Sequence, residues 1–173
     1  KLLKLDFRDK TVLDVGSSTG GFTDYVLQHG ASKVYAVDVG TEQLHPSLRG
    51  NSRIELYEKT DIRDVYAVPL ATVSSPSFVA PDGVDGGKSV DKRLPGVPDV
   101  IVMDVSFISL REILPHIAKN LSDKQTQIVA MLKPQFEAGR NQVNKGVIKN
   151  DAVRRQILKD FESWAKQYFV IID

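Results

Sequence analysis

Two segments end apolar runs on residues that can steer protons and charge. Asp104 closes Val100-Ile101-Val102-Met103, and Lys133 closes Ile128-Val129-Ala130-Met131-Leu132. Each run reads as a buried strand, so both side chains are expected at strand tips. A carboxylate beside a partly desolvated ammonium keeps it charged and aims it. Such a cation can steady an oxygen nucleophile as its proton leaves, or lower that oxygen's pKa. The plainer reading is an ion pair that only closes the sheet's edge. No histidine pairs with a serine in a triad order, and His29, His45 and His116 lack the spacing of metal ligands.

A third segment supplies a binding loop. Residues 14–22 read Asp-Val-Gly-Ser-Ser-Thr-Gly-Gly-Phe after the apolar Thr11-Val12-Leu13. Gly16 allows a sharp bend, and Gly20 and Gly21 are expected to let backbone approach a ligand closely. The ligand then sits between a strand's carboxyl end and a helix's amino end. Ser18 stands where a dinucleotide loop would have its middle glycine, which disfavours a nicotinamide-dependent dehydrogenase, and no Gly-Lys-Ser/Thr pair is present for a phosphate loop. A glycine loop preceded by an acid suits a nucleoside ligand without phosphates, such as S-adenosylmethionine. Asp14, Gly16, Ser17, Ser18, Gly20, Gly21 and Phe22 form the expected cofactor loop. Asp38, ending Val-Tyr-Ala-Val-Asp with Val39 after it, is expected to accept both ribose hydroxyls. Asp61 either accepts from an adenine amino group or caps a turn, and Asp104 completes this set.

These residues need a scaffold of alternating strands and helices, the pattern of an α/β fold with a mostly parallel sheet and helices on both faces. Strands are expected at 11–14, 33–38, 53–58, 100–104, 128–132 and 169–172, and helices at 22–28, 42–49, 110–120 and 151–168. Gly30 fits a helix stop, and Ser109 and Asn150 fit helix caps. In the last helix Val153, Ile157, Leu158, Phe161 and Trp164 recur at helical spacing and are expected to cover one sheet face. Residues 65–98, with five prolines and four glycines, break the rhythm and read as a mobile insertion in a single domain, with short elements possible at 71–73 and 78–79.

The chain's 173 residues are enough for one domain with a proper core. The net charge of +1 argues against gripping nucleic acid by bulk charge. A basic face from Lys133, Arg140, Lys145, Lys149, Arg154 and Arg155 is still available late in the chain. Phe107 and Phe136 follow the two polar strand tips and can stack on a base or fill the core. Arg140, with Lys145 and Lys149, can touch phosphates or lie in a solvated loop. No apolar stretch reaches the roughly 18 residues of a membrane helix. Cysteine is absent, so disulfides and thiolate metal sites are ruled out and a reducing cytoplasm fits.

Taken together, residues 14–24, Val37-Asp38-Val39-Gly40, Gln43-Leu44-His45, 104–109 and 133–140 resemble the TlyA-like branch of the FtsJ-type ribosomal RNA 2′-O-methyltransferases. Asp-Val-Ser-Phe-Ile-Ser and Lys-Pro-Gln-Phe-Glu-Ala-Gly-Arg carry most of the specificity. The resemblance covers most of the chain outside 65–98. It implies a Rossmann-like fold that binds S-adenosylmethionine and methylates ribose 2′-hydroxyls, typically of ribosomal RNA cytidines; with the composition above, the expectation is a cytoplasmic protein without metal or membrane. It also implies a Lys-Asp-Lys-Glu catalytic set, of which Asp104 and Lys133 match the two middle members. The outer two, and a small amino-terminal RNA-binding domain, are expected outside residues 1–173. Phe107, Phe136 and Arg140 are the expected substrate contacts. Two other readings follow: a cofactor-binding but inactive RNA-associated module, and a membrane-active haemolysin, the label that branch also carries. The 145–151 segment only approximates the branch's pattern of a basic residue followed by Asp.

Overall fold

A parallel strand covered on both faces must be apolar at successive positions. The chain meets this in β1 (Thr11–Val15), β2 (Lys33–Val37) and β6 (Val100–Met103), whose side chains are almost all buried. The structure is a computed structural model that describes residues 5–68, 92–138, 148 and 150–172. With β3 (Ile54–Tyr57) and β7 (Gln127–Ala130) these strands form one parallel sheet in the order β3-β2-β1-β6-β7. The register aligns Val15 with Val37 on one side and Met103 on the other, and Met103 with Ala130. All these strands therefore end at one edge of the sheet.

Alternate residues of each strand feed two cores. Val12, Val34, Val100 and Val102 face Val26 and Leu27 of helix α1 (Gly21–Gln28). Leu13, Val15, Val37, Ile101 and Met103 face Leu110, Ile113, Leu114 and Ile117 of α2 (Leu110–Asn120). Phe161 and Trp164 of α4 (Asp151–Ala165) join that second core. Ser109 and Asn150 cap α2 and α4, their side chains accepting from Arg111 N and Ala152 N. Gly30 follows α1 at φ +94°, the left-handed conformation that ends a helix.

Several expectations need correction. Residues 169–172 form no strand, and Val170 and Ile172 project into solvent. β7 is an outer strand of the sheet, but no ladder pairs this segment with it, so it lacks the backbone bonds that would make it a strand. The helix expected at 42–49 shrinks to a 3-10 turn at Pro46–Leu48. Pro46 pushes His45 out of the helical region, to ψ 138°, and Gly50 at φ +77° closes the far side. Leu158 of α4 is half exposed rather than in the core. A one-turn helix α3 (Pro134–Glu137) was not expected; it starts where the proline pre-sets the first helical φ. The strand read at 128–132 is β7 at 127–130, leaving Lys133 three residues beyond the ladder. Of residues 65–98, the flanks β4 (Tyr66–Ala67) and β5 (Arg93–Leu94) pair in parallel. The elements expected at 71–73 and 78–79 lie outside the described residues.

Candidate active site

The sheet's connection order reverses between β1 and β6, and in open α/β sheets a crevice opens at that point beyond the strands' carboxyl ends. Gly16 occupies the crevice wall at φ +79°. A Cβ there would lie 2.9 Å from the backbone oxygen of Asp104, so only glycine lets the two loops touch. Gly16 N and Ser17 N both donate to Val37 O, at 2.9 and 3.2 Å, fastening the loop to β2. Gly20, at φ +93°, has no room for a side chain within the protein itself: its Cβ would strike Leu48 and Leu44 at 2.5 and 2.7 Å. The 42–49 segment is thus wedged under the loop, with His45 N donating to Thr19 O. At Gly21 a Cβ would meet nothing within 4 Å.

Asp38 lies just past β2, and both carboxylate oxygens are engaged. Oδ2 accepts from Ser18 N at 2.8 Å and Oδ1 from Gly40 N at 2.7 Å. Each oxygen keeps a second lone pair for an incoming hydroxyl. Asp14 is inside β1 rather than at its tip, and is fully buried. Its Oδ2 accepts from Thr23 Oγ1 at 2.6 Å, while Oδ1 has no partner; Ser17 Oγ, also buried, has none either. Loss of hydration is the main cause that pushes the Asp14 carboxyl up to about 6, with the Thr23 hydroxyl pulling the other way and Asp38 and Asp104 adding to the rise. Two buried unpaired oxygens on the lining of one hollow, one of them on a carboxyl, are costly unless a ligand satisfies them.

Lys133 reaches across from the end of β7 to Asp104, Nζ to Oδ1 at 2.7 Å, and donates to Ser106 Oγ at 2.6 Å. Asp104 Oδ1 is sealed from solvent and receives no aligned hydrogen bond, so the ammonium compensates it by charge. The two loops bearing this pair are bolted together by Glu137, whose side chain is 1 % exposed. Its carboxylate accepts from Ser109 Oγ at 2.6 Å and Leu110 N at 2.7 Å, with Arg111 3.7 Å away. The Phe107 ring is 92 % exposed, on a backbone at φ +66°, and lies 5.4 Å from the Phe136 ring, so these two aromatic residues do meet.

Two hollows share Gly16, Ser18, Asp104 and Ser106 as their common wall. One, of 370 Å³, runs past Asp38, Val39, Gln43, Asp61, Ile62 and Phe107. The other, of 620 Å³, runs past Asp14, Ser17, Gly21, Phe22, Met131 and Lys133. Asp61 borders the first hollow but is already committed. It caps the turn at Ile62–Asp64 through Arg63 N and pairs with the Arg63 guanidinium at 2.7 Å, which holds its carboxyl below the usual range. Arg140 lies outside the described residues. Among the described residues no three His, Asp or Glu side chains gather as a metal would need. Sequence reading gave no role to Thr23, Ser106 or Glu137. Ser106 and Glu137 both lay inside motifs already singled out, and Thr23 inside the 14–24 stretch; what the sequence did not show was Glu137's role, since its partners are 27 and 28 residues away.

Residues 1–172 match the family described as FtsJ-like methyltransferase. The chain belongs to that family. It is 40 % identical over 166 residues to the putative rRNA methyltransferase YqxC of Bacillus subtilis, covering 95 % of this chain and 50 % of that protein. It is 39 % identical to the 23S rRNA (cytidine-2′-O)-methyltransferase TlyA of Campylobacter jejuni, covering 91 % and 51 %. Among solved structures, a putative hemolysin from Streptococcus thermophilus superposes with a TM-score of 0.74 at 40 % identity, covering 95 % of this chain and 51 % of that one. The chain thus spans about half the length of the curated relatives it matches. Among the described residues no helix of this FtsJ-like chain is long and apolar enough to cross a membrane.

Proposed function

We propose that this FtsJ-like chain is the catalytic part of an S-adenosylmethionine-dependent RNA methyltransferase that modifies ribose 2′-hydroxyls of ribosomal RNA in the cytoplasm. The observation that carries the reading is the Asp104–Lys133 pair, 2.7 Å apart, sharing a wall with the glycine loop. The cofactor's chemistry fits the donors present. The unpaired Asp14 Oδ1 and Ser17 Oγ suit an amino-acid ammonium, and the free lone pairs of Asp38 suit ribose hydroxyls. When bound, the cofactor supplies an electrophilic methyl group on a positive sulfur.

The chain's own residues do the rest. Asp104 holds the Lys133 ammonium over the shared wall, where it stabilises the negative charge that grows on a 2′-oxygen as its proton passes to solvent water. Phe107 and Phe136 offer an aromatic surface on which the target base stacks, and Arg140 contacts the RNA backbone. Most of the acceleration then comes from placement and a matched field rather than from covalent catalysis. The relatives named as cytidine-2′-O-methyltransferases and the family membership support this reading. Titrating S-adenosylmethionine into the protein by calorimetry, beside its Asp38→Ala variant, tests the cofactor assignment. Saturable one-to-one heat that weakens at least tenfold in the variant supports it; absence of binding to the wild type overturns it.

A further inference from the structure

The Lys133 ammonium has three protons on a flexible four-carbon stem, and a point charge so mounted is a poor director unless something fixes it. The Asp104 contact is close but lacks hydrogen-bond alignment. Ser106 Oγ, 2.6 Å from Nζ, is the acceptor that does have it. Ser106 borders both hollows, and Phe107 turns left-handed immediately after it. That turn sends the aromatic ring outward while the preceding hydroxyl stays over the lysine. The bond also ties the loop after β6 to the loop after β7, across 27 residues of sequence.

We propose that Ser106 is the positioning residue of Lys133: its hydroxyl accepts one ammonium proton and so fixes the direction of the other two. Asp104 supplies the charge that keeps the cation in place, and Ser106 supplies the orientation. The inference rests on the methyl-transfer reading above, in which the direction of that ammonium matters. Its division of labour implies that losing the hydroxyl damages turnover more than binding, because Ser106 carries no charge and acts through Lys133.

The test uses the full-length chain with Ser106→Ala, Ser106→Thr and Lys133→Arg. Nitrogen-15 correlation spectra of the lysine ammonium groups are recorded without substrate, with the Lys133 signal assigned by its loss in Lys133→Arg. The wild type is expected to give a distinct Lys133 signal, displaced from those of solvated lysines. Ser106→Ala moves it to the solvated position or broadens it away, and Ser106→Thr restores it. With ribosomal RNA as acceptor, Ser106→Ala lowers kcat roughly tenfold or more. KM and cofactor affinity stay within about twofold, and Ser106→Thr recovers most of the loss. An ammonium signal indifferent to Ser106→Ala, an unchanged kcat, or a threonine that fails to rescue overturns the proposal. Should Ser106→Ala not fold, Ser106→Cys keeps the size and weakens the acceptor, and the same comparisons apply. If the wild type itself transfers no methyl group, the methyl-transfer reading falls, while the ammonium spectra still decide whether Ser106 holds Lys133.

Discussion

Asp14→Asn separates stability from binding at one atom. The folded protein holds this carboxyl at about 6 against an ordinary 3.8, chiefly because burial strips its water. The native state therefore binds the proton more tightly than the unfolded chain. The associated stability is complete below pH 3.8 and is lost as the pH rises through 6. The loss amounts to about 3 kcal/mol by pH 8. Asparagine keeps an oxygen for Thr23 Oγ1 and removes the charge, but it leaves a buried amide facing the hollow where Oδ1 had no partner. That amide costs about 1–2 kcal/mol. The variant is thus expected to be about 1–2 kcal/mol more stable than the wild type at pH 8 and slightly less stable at pH 4. Urea unfolding at pH 4, 6 and 8, followed by circular dichroism and extrapolated to water, reads both values. S-adenosylmethionine affinity should fall in the same variant. A stability difference independent of pH would refute the reasoning, because only titration of the buried carboxyl generates the slope.

Three further substitutions probe the frame. Gly16→Ala places a Cβ 2.9 Å from Asp104 O at φ +79°, so it is expected to cost about 2 kcal/mol or more in urea unfolding and to reduce cofactor binding. Glu137→Ala strips partners from Ser109, Leu110 and Arg111 and should cost about 3 kcal/mol, with turnover falling as the two loops separate. Phe107→Gly removes an almost fully exposed ring and a left-handed non-glycine residue worth about 1 kcal/mol of strain. Its melting temperature should hold or rise while KM for RNA increases severalfold.

What could be read from the chain was what strong local patterns encode. The apolar runs of β1, β2 and β6 are satisfied by strands covered on both faces, so their being buried strands was legible; their order in the sheet was not. Asp104 followed from where the β6 run stops, whereas the run before Lys133 outlasts its strand, which ends at Ala130. Ser109 and Asn150 were legible as caps because their chemistry is local. The 42–49 segment misled because Leu44 and Leu48 recur four residues apart, as on one helix face, while Pro46 and the wedge under Gly20 decide its shape. Residues 169–172 have strand composition but no pairing in the sheet. Asp61 shows how a local contact, here with Arg63, engages a residue that also borders the hollow. Glu137 and Thr23 were illegible because their roles come from tertiary placement that no spacing encodes.

The most direct measurement uses isotopically labelled S-adenosylmethionine with intact ribosomal subunits, followed by alkaline hydrolysis of the recovered RNA. A 2′-O-methyl group removes the nucleophile that alkali needs, so the linkage on its 3′ side survives. The wild type, as full-length protein, should place label in an alkali-resistant dinucleotide. Lys133→Ala should bind the cofactor within about twofold of the wild type yet leave no label. Label confined to fully hydrolysed mononucleotides, or undiminished transfer by Lys133→Ala, would contradict the chemistry assigned to this crevice.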